Sequence, residues 1–183
     1  GVDDSADISG GYSDDLNGNG IPDDCEEFVE FCNADGSGMS SPCGNDNDGS
    51  LGIAGAKNGS SDGGGKLSAS GSASVSAADF KLRAEGLIPS QPGLFFQGNN
   101  MINGGFGNHF GDGLRCAGGS VIRLEVGFAN SSGITVTTGN LISKGGILPG
   151  DKKAYQIWYR DPVGTPCGSG FNLSNGLKIE FSS

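Results

Sequence analysis

The sequence feature that most constrains the fold is a series of short segments, from Asp79 onward, in which apolar and polar residues alternate. A period of two places the apolar side chains on one face of a β-strand. The alternating apolar residues are Phe80, Leu82 and Ala84; Leu94 and Phe96; Ile122, Leu124, Val126 and Phe128; Ile134 and Val136; Tyr155, Ile157 and Tyr159; and Ile179 and Phe181. About eight to ten short strands, each with one apolar face, predict an all-β fold of two packed antiparallel sheets, a β-sandwich of the jelly-roll kind.

Tight turns and one short helix complete the predicted secondary structure. The chain has 36 glycines and only 17% charged residues, a composition that favours turns between short strands over helices. The dipeptide Asn175-Gly176 predicts a two-residue β-hairpin. One helix is predicted from Pro22 to Cys32, because proline suits a first helical turn and apolar residues recur at helical spacing. We therefore expect less than about 15% helix, against a usual 30–35%.

Composition divides the chain into three parts. Residues 1–32 form an acidic arm, residues 33–66 are rich in Gly and Ser, and residues 67–183 carry the strand pattern of the sandwich. The middle part is predicted to be either a flexible linker or an irregular segment. Small and apolar residues alternate from Lys66 to Ala77, which also fits a strand at the edge of a sheet.

The acidic arm contains a motif typical of calcium loops. The stretch from Asp15 to Glu26 reads DLNGNGIPDDCE and matches the spacing D-x-[DN]-x-[DN]-G-x5-E. A hard divalent cation needs about six to eight oxygen ligands, which short side chains at alternate positions of a tight turn supply. A solvated turn is the alternative, because Asn and Gly also favour it. We expect one bound calcium. Its predicted ligands are Asp15, Asn17, Asn19, the carbonyl of Ile21, Asp23 directly or through water, and Glu26.

A partial copy of the motif precedes this loop. When the two copies are aligned on their glycines, Asp4 and Asp7 occupy the positions of Asp23 and Glu26. Asp4 and Asp7 are therefore a candidate half-site for calcium. Either a longer precursor was cut within the motif, or ordered structure begins there. A neighbouring subunit that supplied the missing ligands would make assembly depend on calcium.

The net charge of −10 is distributed unevenly along the chain. Residues 1–62 hold 14 acidic residues and one base, whereas residues 63–183 hold 7 acidic and 10 basic residues. This distribution lacks the basic stripe of nucleic-acid-binding proteins, so we expect no nucleic-acid partner. We also expect no membrane span, because no long apolar run occurs. The acidic arm of one copy could attract the basic body of another, or the charge could serve solubility alone.

The cysteines indicate the kind of compartment in which the protein folds. Five cysteines together with a calcium motif indicate an oxidising, calcium-rich environment outside the cytoplasm. We predict a disulfide between Cys116 and Cys167 and, as a second pair, one between Cys32 and Cys43. Cys25 would then be free, buried or bridged to another chain.

Residues suited to catalysis are sparse. His109 is the only histidine, and no nucleophile elbow, phosphate-binding loop or dinucleotide motif occurs, so we do not expect an enzyme. Trp158 and Arg160 lie on the strand face opposite Tyr155 and Tyr159. Aromatic side chains in such positions either stack on sugars or contribute to an interface, which makes Trp158 and Arg160 candidate ligand or interface residues.

Two groups of motifs resemble a known family. The run DISGGYSDDLNGNGIPDDCEEF is similar to tandem acidic repeats of large secreted proteins of planctomycetes and related bacteria. A module often found at the carboxyl end of the same proteins resembles the segments SASGSASVSAADFKLRAEGL, PGLFFQGNN, FGDGLRCAGGSVIRLEV, YQIWYRDPVG and FNLSNGLKIEF. The resemblance implies secretion, calcium-stabilised stalks and an all-β terminal module without enzymatic activity. The chain departs from the family at Leu16 and at residues 54–56, where members often carry a cysteine.

These observations lead to one function hypothesis and its alternatives. The first is an extracellular, calcium-stabilised structural protein that associates with copies of itself, into a filament or a surface layer. The alternatives are a module that binds carbohydrate or another cell-surface ligand, or a carboxyl-terminal sorting domain, released from a larger secreted protein.

Overall fold

A computed structural model describes residues 4–183 of the chain. Within these residues it contains thirteen β-strands and two short α-helices, which confirms an all-β fold with little helix. The strands are β1 (Phe28–Phe31), β2 (Lys66–Ser70), β3 (Lys81–Glu85), β4 (Pro92–Gly98), β5 (Asn100–Met101), β6 (Asn108–Phe110), β7 (Gly113–Arg115), β8 (Ala117–Gly118), β9 (Ile122–Phe128), β10 (Thr135–Val136), β11 (Lys152–Arg160), β12 (Phe171–Leu173) and β13 (Gly176–Glu180). The helices are α1 (Asp4–Ser9) and α2 (Leu141–Gly145), and 3-10 turns span Asp23–Cys25 and Ile102–Gly105.

The largest sheet has the antiparallel strand order β1-β13-β11-β4-β9, and β12 also pairs with β11. Its central strand β11 alternates as the sequence predicts. Tyr155, Ile157 and Tyr159 are buried in one core, and Trp158 packs against a second core on the opposite face. Because both faces of β11 are covered, this strand joins the two cores.

A second sheet, of order β10-β3-β2, packs together with α2 against the first face of the main sheet. The ring of Phe80 lies 5.4 Å from that of Tyr155 and 5.5 Å from that of Phe181, measured between centroids. Tilted and edge-to-face contacts of this kind add to the stabilisation from burial alone. The antiparallel sandwich is therefore confirmed, and β2 lies at the edge of its sheet as its sequence indicates.

An irregular layer covers the other face of the main sheet. Residues 33–65 contain no helix or strand, yet Ala54 and Ala56 are fully buried. Ala56 packs with Phe31, Phe96 and other apolar residues of the second core, which includes Leu114 of β7 and Ala117 of β8. Of the two alternatives for this part of the chain, the structure has an irregular packed segment rather than a flexible linker.

The helix predicted from Pro22 to Cys32 is wrong. Only Asp23–Cys25 forms a 3-10 turn, and Phe28–Phe31 is strand β1, paired with β13. The apolar spacing misled the prediction because β1 is packed on both faces. Phe28 contacts the first core, whereas Phe31 is buried in the second. A strand covered on both sides lacks a clean period of two.

The hairpin predicted at Asn175-Gly176 is also wrong. The flanking strands β12 and β13 both pair antiparallel with β11. The chain therefore continues along β11 through the dipeptide and does not reverse its direction there. The fully buried side chain of Asn175 accepts a hydrogen bond from the Leu67 amide at 2.7 Å and donates to the Leu67 carbonyl at 3.2 Å. This asparagine therefore substitutes for a backbone partner at the edge of β2.

Both predicted disulfides are wrong in their pairing. The described residues contain the bridges Cys32–Cys116 and Cys43–Cys167. Cys32 directly follows β1 and meets Cys116 between β7 and β8, inside the second core. Cys43, in the irregular layer, is bridged to Cys167 between β11 and β12, so each bridge joins the amino-terminal part of the chain to a distant segment, which sequence spacing alone did not indicate. Cys25 is a free, exposed thiol.

Candidate functional site

Two features of the structure are candidate sites, and the first is the loop from Asp15 to Glu26. The Asp15 carboxylate accepts hydrogen bonds from the amides of Asn19 and Gly20, each at 3.1 Å. The Asn19 side-chain oxygen accepts from the Ile21 amide at 2.7 Å. Gly20 has φ +83, a conformation that L side chains rarely adopt, so glycine allows the bend here. The loop has the tight turn that its motif predicts.

The side chains of this loop converge on Glu26. The Glu26 carboxylate accepts a hydrogen bond from the side-chain nitrogen of Asn17 at 2.8 Å and another from that of Asn19 at 2.9 Å. Together with Asp15, these side chains offer the carboxylate and amide oxygens that calcium prefers. These residue types therefore suit a calcium ion, and four of the six predicted ligands are joined by hydrogen bonds within one loop.

The other two predicted ligands are Asp23 and Ile21. One oxygen of the buried Asp23 carboxylate accepts from the Leu16 amide at 2.9 Å, and the other pairs with Lys178 at 3.0 Å. The side chain of Ile21 is a hydrocarbon without a ligand atom, so only its backbone carbonyl would bind a cation. Within the described residues, no three His, Cys, Asp or Glu side chains form a group that could hold a metal ion. Calcium at this loop stays a prediction.

The half-site of Asp4 and Asp7 lies in α1, and residues 1–3 of that partial motif lie outside the described residues. Calcium binding by Asp4 and Asp7 stays a prediction.

The second candidate site is a groove beside Trp158, on the face of the main sheet that the irregular layer leaves partly open. The ring of Trp158 lies 5.5 Å from that of Phe171, which in turn lies 5.3 Å from that of Phe110. The groove has a volume of about 520 Å³. It is lined by Leu94, Phe96, Phe110, Arg115, Val121, Arg123, Trp158, Phe171 and Leu173. A smaller depression that shares Leu94, Arg123 and Trp158 extends it to Arg160.

Three arginines surround this apolar groove without a carboxylate partner. Arg115, Arg123 and Arg160 form no ion pair with any described residue, whereas the fourth arginine, Arg83, pairs with Glu85 at 2.7 Å. Arg115 Nε donates to the carbonyl of Ala117 at 3.3 Å. The other cations are mostly engaged: six lysines form ion pairs with carboxylates, and the seventh donates to two backbone carbonyls. The uncompensated positive charge is therefore concentrated at the groove.

Strand β9 exposes more apolar surface at the end of the groove than its pattern predicts. Of its alternating apolar residues only Leu124 is buried, whereas Val126 and Phe128 are 58% and 68% exposed. A register shift between Phe95 and Phe96 interrupts the pairing of β4 with β9. Since β9 is the last strand of its sheet in the described part of the chain, its outer side has no neighbouring strand.

The acidic arm and the arginine groove lie at different ends of the main sheet. The arm is anchored through Asp23 to Lys178 on β13, and it continues directly into β1. The groove lies on β4, β9 and the end of β11, on the other side of the strand order. Trp158 and Arg160 thus lie at one surface, and a ligand or partner at that surface stays a prediction. Sequence reasoning missed Arg115 and Arg123, because only the fold shows which cations lack a carboxylate.

The single histidine contributes to neither site. His109 is exposed, and its Nε2 lies 2.8 Å from the Ser40 carbonyl, to which it donates. This contact joins β6 to the irregular layer.

Comparisons with known proteins do not assign the chain to a family. No family model matches it, and no match was found among curated proteins or solved structures. No helix in residues 4–183 is long and apolar enough to cross a membrane. The two disulfides are compatible with an oxidising extracellular setting.

Proposed function

We propose that this protein is an extracellular, calcium-stabilised structural protein that associates with copies of itself. The observation that carries the proposal is the separation of charge along the main sheet. Residues 1–32, the acidic arm, hold 10 acidic residues and no base. The arm is anchored at Lys178 on β13, whereas Arg115, Arg123 and Arg160 lack carboxylate partners at the groove.

Opposite charges at different ends of one molecule favour head-to-tail contact. The arm of one copy would face the groove of the next, so the two surfaces in contact are different. Such a heterologous contact builds open filaments unless its rotation closes into a ring. The exposed apolar residues Val126 and Phe128 adjoin the same region and add surface that contact would remove from water.

Calcium has a defined part in this proposal. A cation bound by the loop from Asp15 to Glu26 would fix the conformation of the arm and hold it in the position from which it contacts the neighbouring copy. The cation would also neutralise part of the arm's charge. Association should therefore depend on calcium through the order of the arm and on ionic strength through the charges.

Sedimentation velocity of the full chain tests the proposal. We expect species larger than the monomer that increase with protein concentration at about 1 mM calcium and about 50 mM salt, and that decrease at about 500 mM salt. Addition of a chelator at low salt should also reduce the amount of these larger species. A chain that remains monomeric at every protein concentration at low salt with calcium would refute self-association.

A second candidate function is supported by the same groove. Aromatic rings beside cationic side chains are suited to an acidic carbohydrate, whose sugar faces stack on rings and whose carboxylates pair with arginine. This alternative predicts a monomer that binds oligosaccharides, and the experiment of the next subsection separates the two.

A further inference from the structure

We propose that the arginine groove binds the segment around Tyr12 of a second copy of this chain. The inference rests on the proposed function and names the surfaces that would meet. Tyr12 would enter the apolar floor beside Trp158, and the carboxylates near Tyr12 would pair with the arginines of the groove.

The groove sets requirements that an occupant must meet. Its floor is apolar and aromatic, so burial of an apolar or aromatic group there is favourable. Arg115, Arg123 and Arg160 are distributed along the groove and its extension, so the occupant should carry several carboxylates in sequence instead of one. Glu125 also borders the extension, but its carboxylate is engaged by Lys144 at 2.7 Å. An acidic peptide with one aromatic residue meets these requirements.

The segment around Tyr12 has this composition. Tyr12 is 84% exposed, the highest value among the exposed large apolar side chains of the described residues. Asp7 precedes it and Asp14 follows it, and Asp14 is exposed. Gly10 and Gly11 lie in the turn that ends helix α1, where the Tyr12 amide donates to the Asp7 carbonyl at 3.0 Å, so Tyr12 and Asp7 are held close together. The segment thus combines one exposed aromatic side chain with carboxylates on both sides, which is the composition that the groove requires.

The position of the arm favours a second copy over the same molecule. Asp23 pairs with Lys178 on β13, and the Asp23 amide donates to the Asp14 carbonyl at 2.8 Å, so the base of the segment is held at one side of the main sheet. In the structure Tyr12 borders a depression formed with Asp24 and Lys178, not the groove. The neighbouring molecule's Tyr12 segment can reach the groove without loss of these contacts.

Trp158 provides a direct readout, because it is the only tryptophan in the chain and lines the groove. The receptor in the experiment is the full chain with Tyr12→Ala, whose groove no neighbour's tyrosine can fill. The probe is a synthetic peptide of residues 4–16. We expect a saturable change in Trp158 fluorescence. The Tyr12→Ala peptide should bind at least about tenfold more weakly.

Receptor variants identify the groove. Adding Arg123→Ala to the receptor should weaken peptide binding about tenfold or more, whereas Arg83→Ala should leave it unchanged, since Arg83 is paired with Glu85 on β3. In sedimentation velocity, Tyr12→Ala and Arg123→Ala in the full chain should each reduce association. Peptide binding that is insensitive to both Tyr12 and Arg123 overturns the proposal.

The remaining outcomes separate this proposal from the proposed function. If the full chain associates but Tyr12→Ala and Arg123→Ala associate equally well, the groove assignment is overturned and self-association stands. If an oligogalacturonate changes Trp158 fluorescence saturably and the peptide does not, the groove belongs to an acidic glycan and the proposal is overturned. If the peptide binds with the expected dependence but the chain stays monomeric, the groove assignment is supported and self-association is refuted.

Discussion

The carboxylate of Asp23 and the ammonium of Lys178 lie 3.0 Å apart and join the acidic arm to strand β13. The Asp23 side chain is only 3% exposed, whereas that of Lys178 is 25% exposed. Asp23 occupies the ninth position of the calcium motif, so the same residue belongs to the loop and to its anchor on the body. Asp23 therefore belongs to the predicted calcium loop and also attaches the arm to strand β13.

Removal of the Asp23–Lys178 ion pair should lower the free energy of unfolding. Lys178→Met keeps the aliphatic length of the side chain but leaves a buried carboxylate without a counter-charge, so we expect a loss of about 2–4 kcal/mol in the free energy of unfolding. The matched control is Lys152→Met, whose pair with Glu180 is exposed on both sides and should contribute less than about 1 kcal/mol. Urea titrations of the two variants measure this difference, and equal stabilities would contradict the assignment of Asp23–Lys178 as an anchor.

Calcium should stabilise the folded chain. A ligand that binds only the folded state adds about 2.7 kcal/mol at a concentration one hundred times its Kd. Glu26→Gln removes a carboxylate on which two asparagine side chains converge and should weaken binding at least about tenfold. Calorimetric titration of calcium into the chelator-treated chain measures the binding, and urea unfolding with and without calcium measures the stabilisation. Asp79→Asn, in an exposed turn with Ser72, is the control and should bind like the original chain. Calcium binding unchanged by Glu26→Gln would refute the loop as the site.

The disulfides should contribute strongly to stability. The bridges span 84 and 124 residues, and the chain-entropy relation gives about 4–5 kcal/mol for loops of this length. Because the loops overlap, the two contributions should not add in full. Replacing Cys32 and Cys116 together by alanine, or Cys43 and Cys167 together, should each lower the denaturation midpoint. Peptide mapping without reductant checks the pairing first, and recovery of a peptide linking Cys116 to Cys167 would contradict the structure.

Glu125 should produce a defined acid transition. Burial disfavours its charged form and would raise its pKa, but the ion pair with Lys144 and hydrogen bonds from Thr138 and Gly139 outweigh burial and lower the pKa from 4.5 to about 2. A carboxyl whose pKa is depressed by folding adds stability above its unfolded pKa and loses it as the pH falls through the folded pKa. We therefore expect a loss of about 1–2 kcal/mol between pH 4.5 and pH 2, after allowance for solvent screening.

The variant Glu125→Gln isolates this contribution. Its amide does not titrate, so the variant should be less stable near neutral pH and should lack this part of the decline in acid. Unfolding free energies at several pH values for both proteins provide the comparison. Parallel pH profiles of the variant and the original chain would show that Glu125 does not contribute in this range.

Asn175 should be sensitive to truncation. Asn175→Ala leaves the buried amide and carbonyl of Leu67 without their side-chain partners, which should cost about 2–4 kcal/mol. The control Asn130→Ala removes hydrogen bonds to Ser132 and Ile134 in an exposed loop and should cost less than about 1 kcal/mol. Thermal unfolding of both variants tests the difference. A mild effect at Asn175 would mean that water replaces its contacts.

Sequence reasoning predicted those parts of the fold that depend on local patterns. The alternation of Tyr155, Ile157 and Tyr159 identified the face of β11 that meets the second sheet. The loop around Gly20 has its expected bend because the motif fixes both residue type and spacing. Local patterns gave wrong predictions where tertiary contacts determine the secondary structure. Phe28 and Phe31 resemble part of a helical stripe because both faces of β1 are covered.

The candidate groove was only partly predictable for the same reason. Trp158 and Arg160 are adjacent on one strand face, and this is a local property. The significance of Arg123 depends on the absence of a carboxylate nearby, which is a property of the assembled surface. Likewise, Asn175-Gly176 has the composition of a hairpin, but the buried edge of β2 uses the asparagine as a hydrogen-bonding partner. No pattern within the dipeptide distinguishes these two uses.

The interleaving of the two disulfides has a consequence for the lifetime of the molecule. Cys43 lies within the loop that Cys32 and Cys116 close, and Cys116 lies within the loop that Cys43 and Cys167 close. A single cut of the backbone anywhere between Cys32 and Cys167 therefore leaves every fragment covalently attached to the rest. A protease must cut outside this range, or cut more than once, to release a piece. The body of the protein can be nicked and still keep its mass and its connection to the acidic arm.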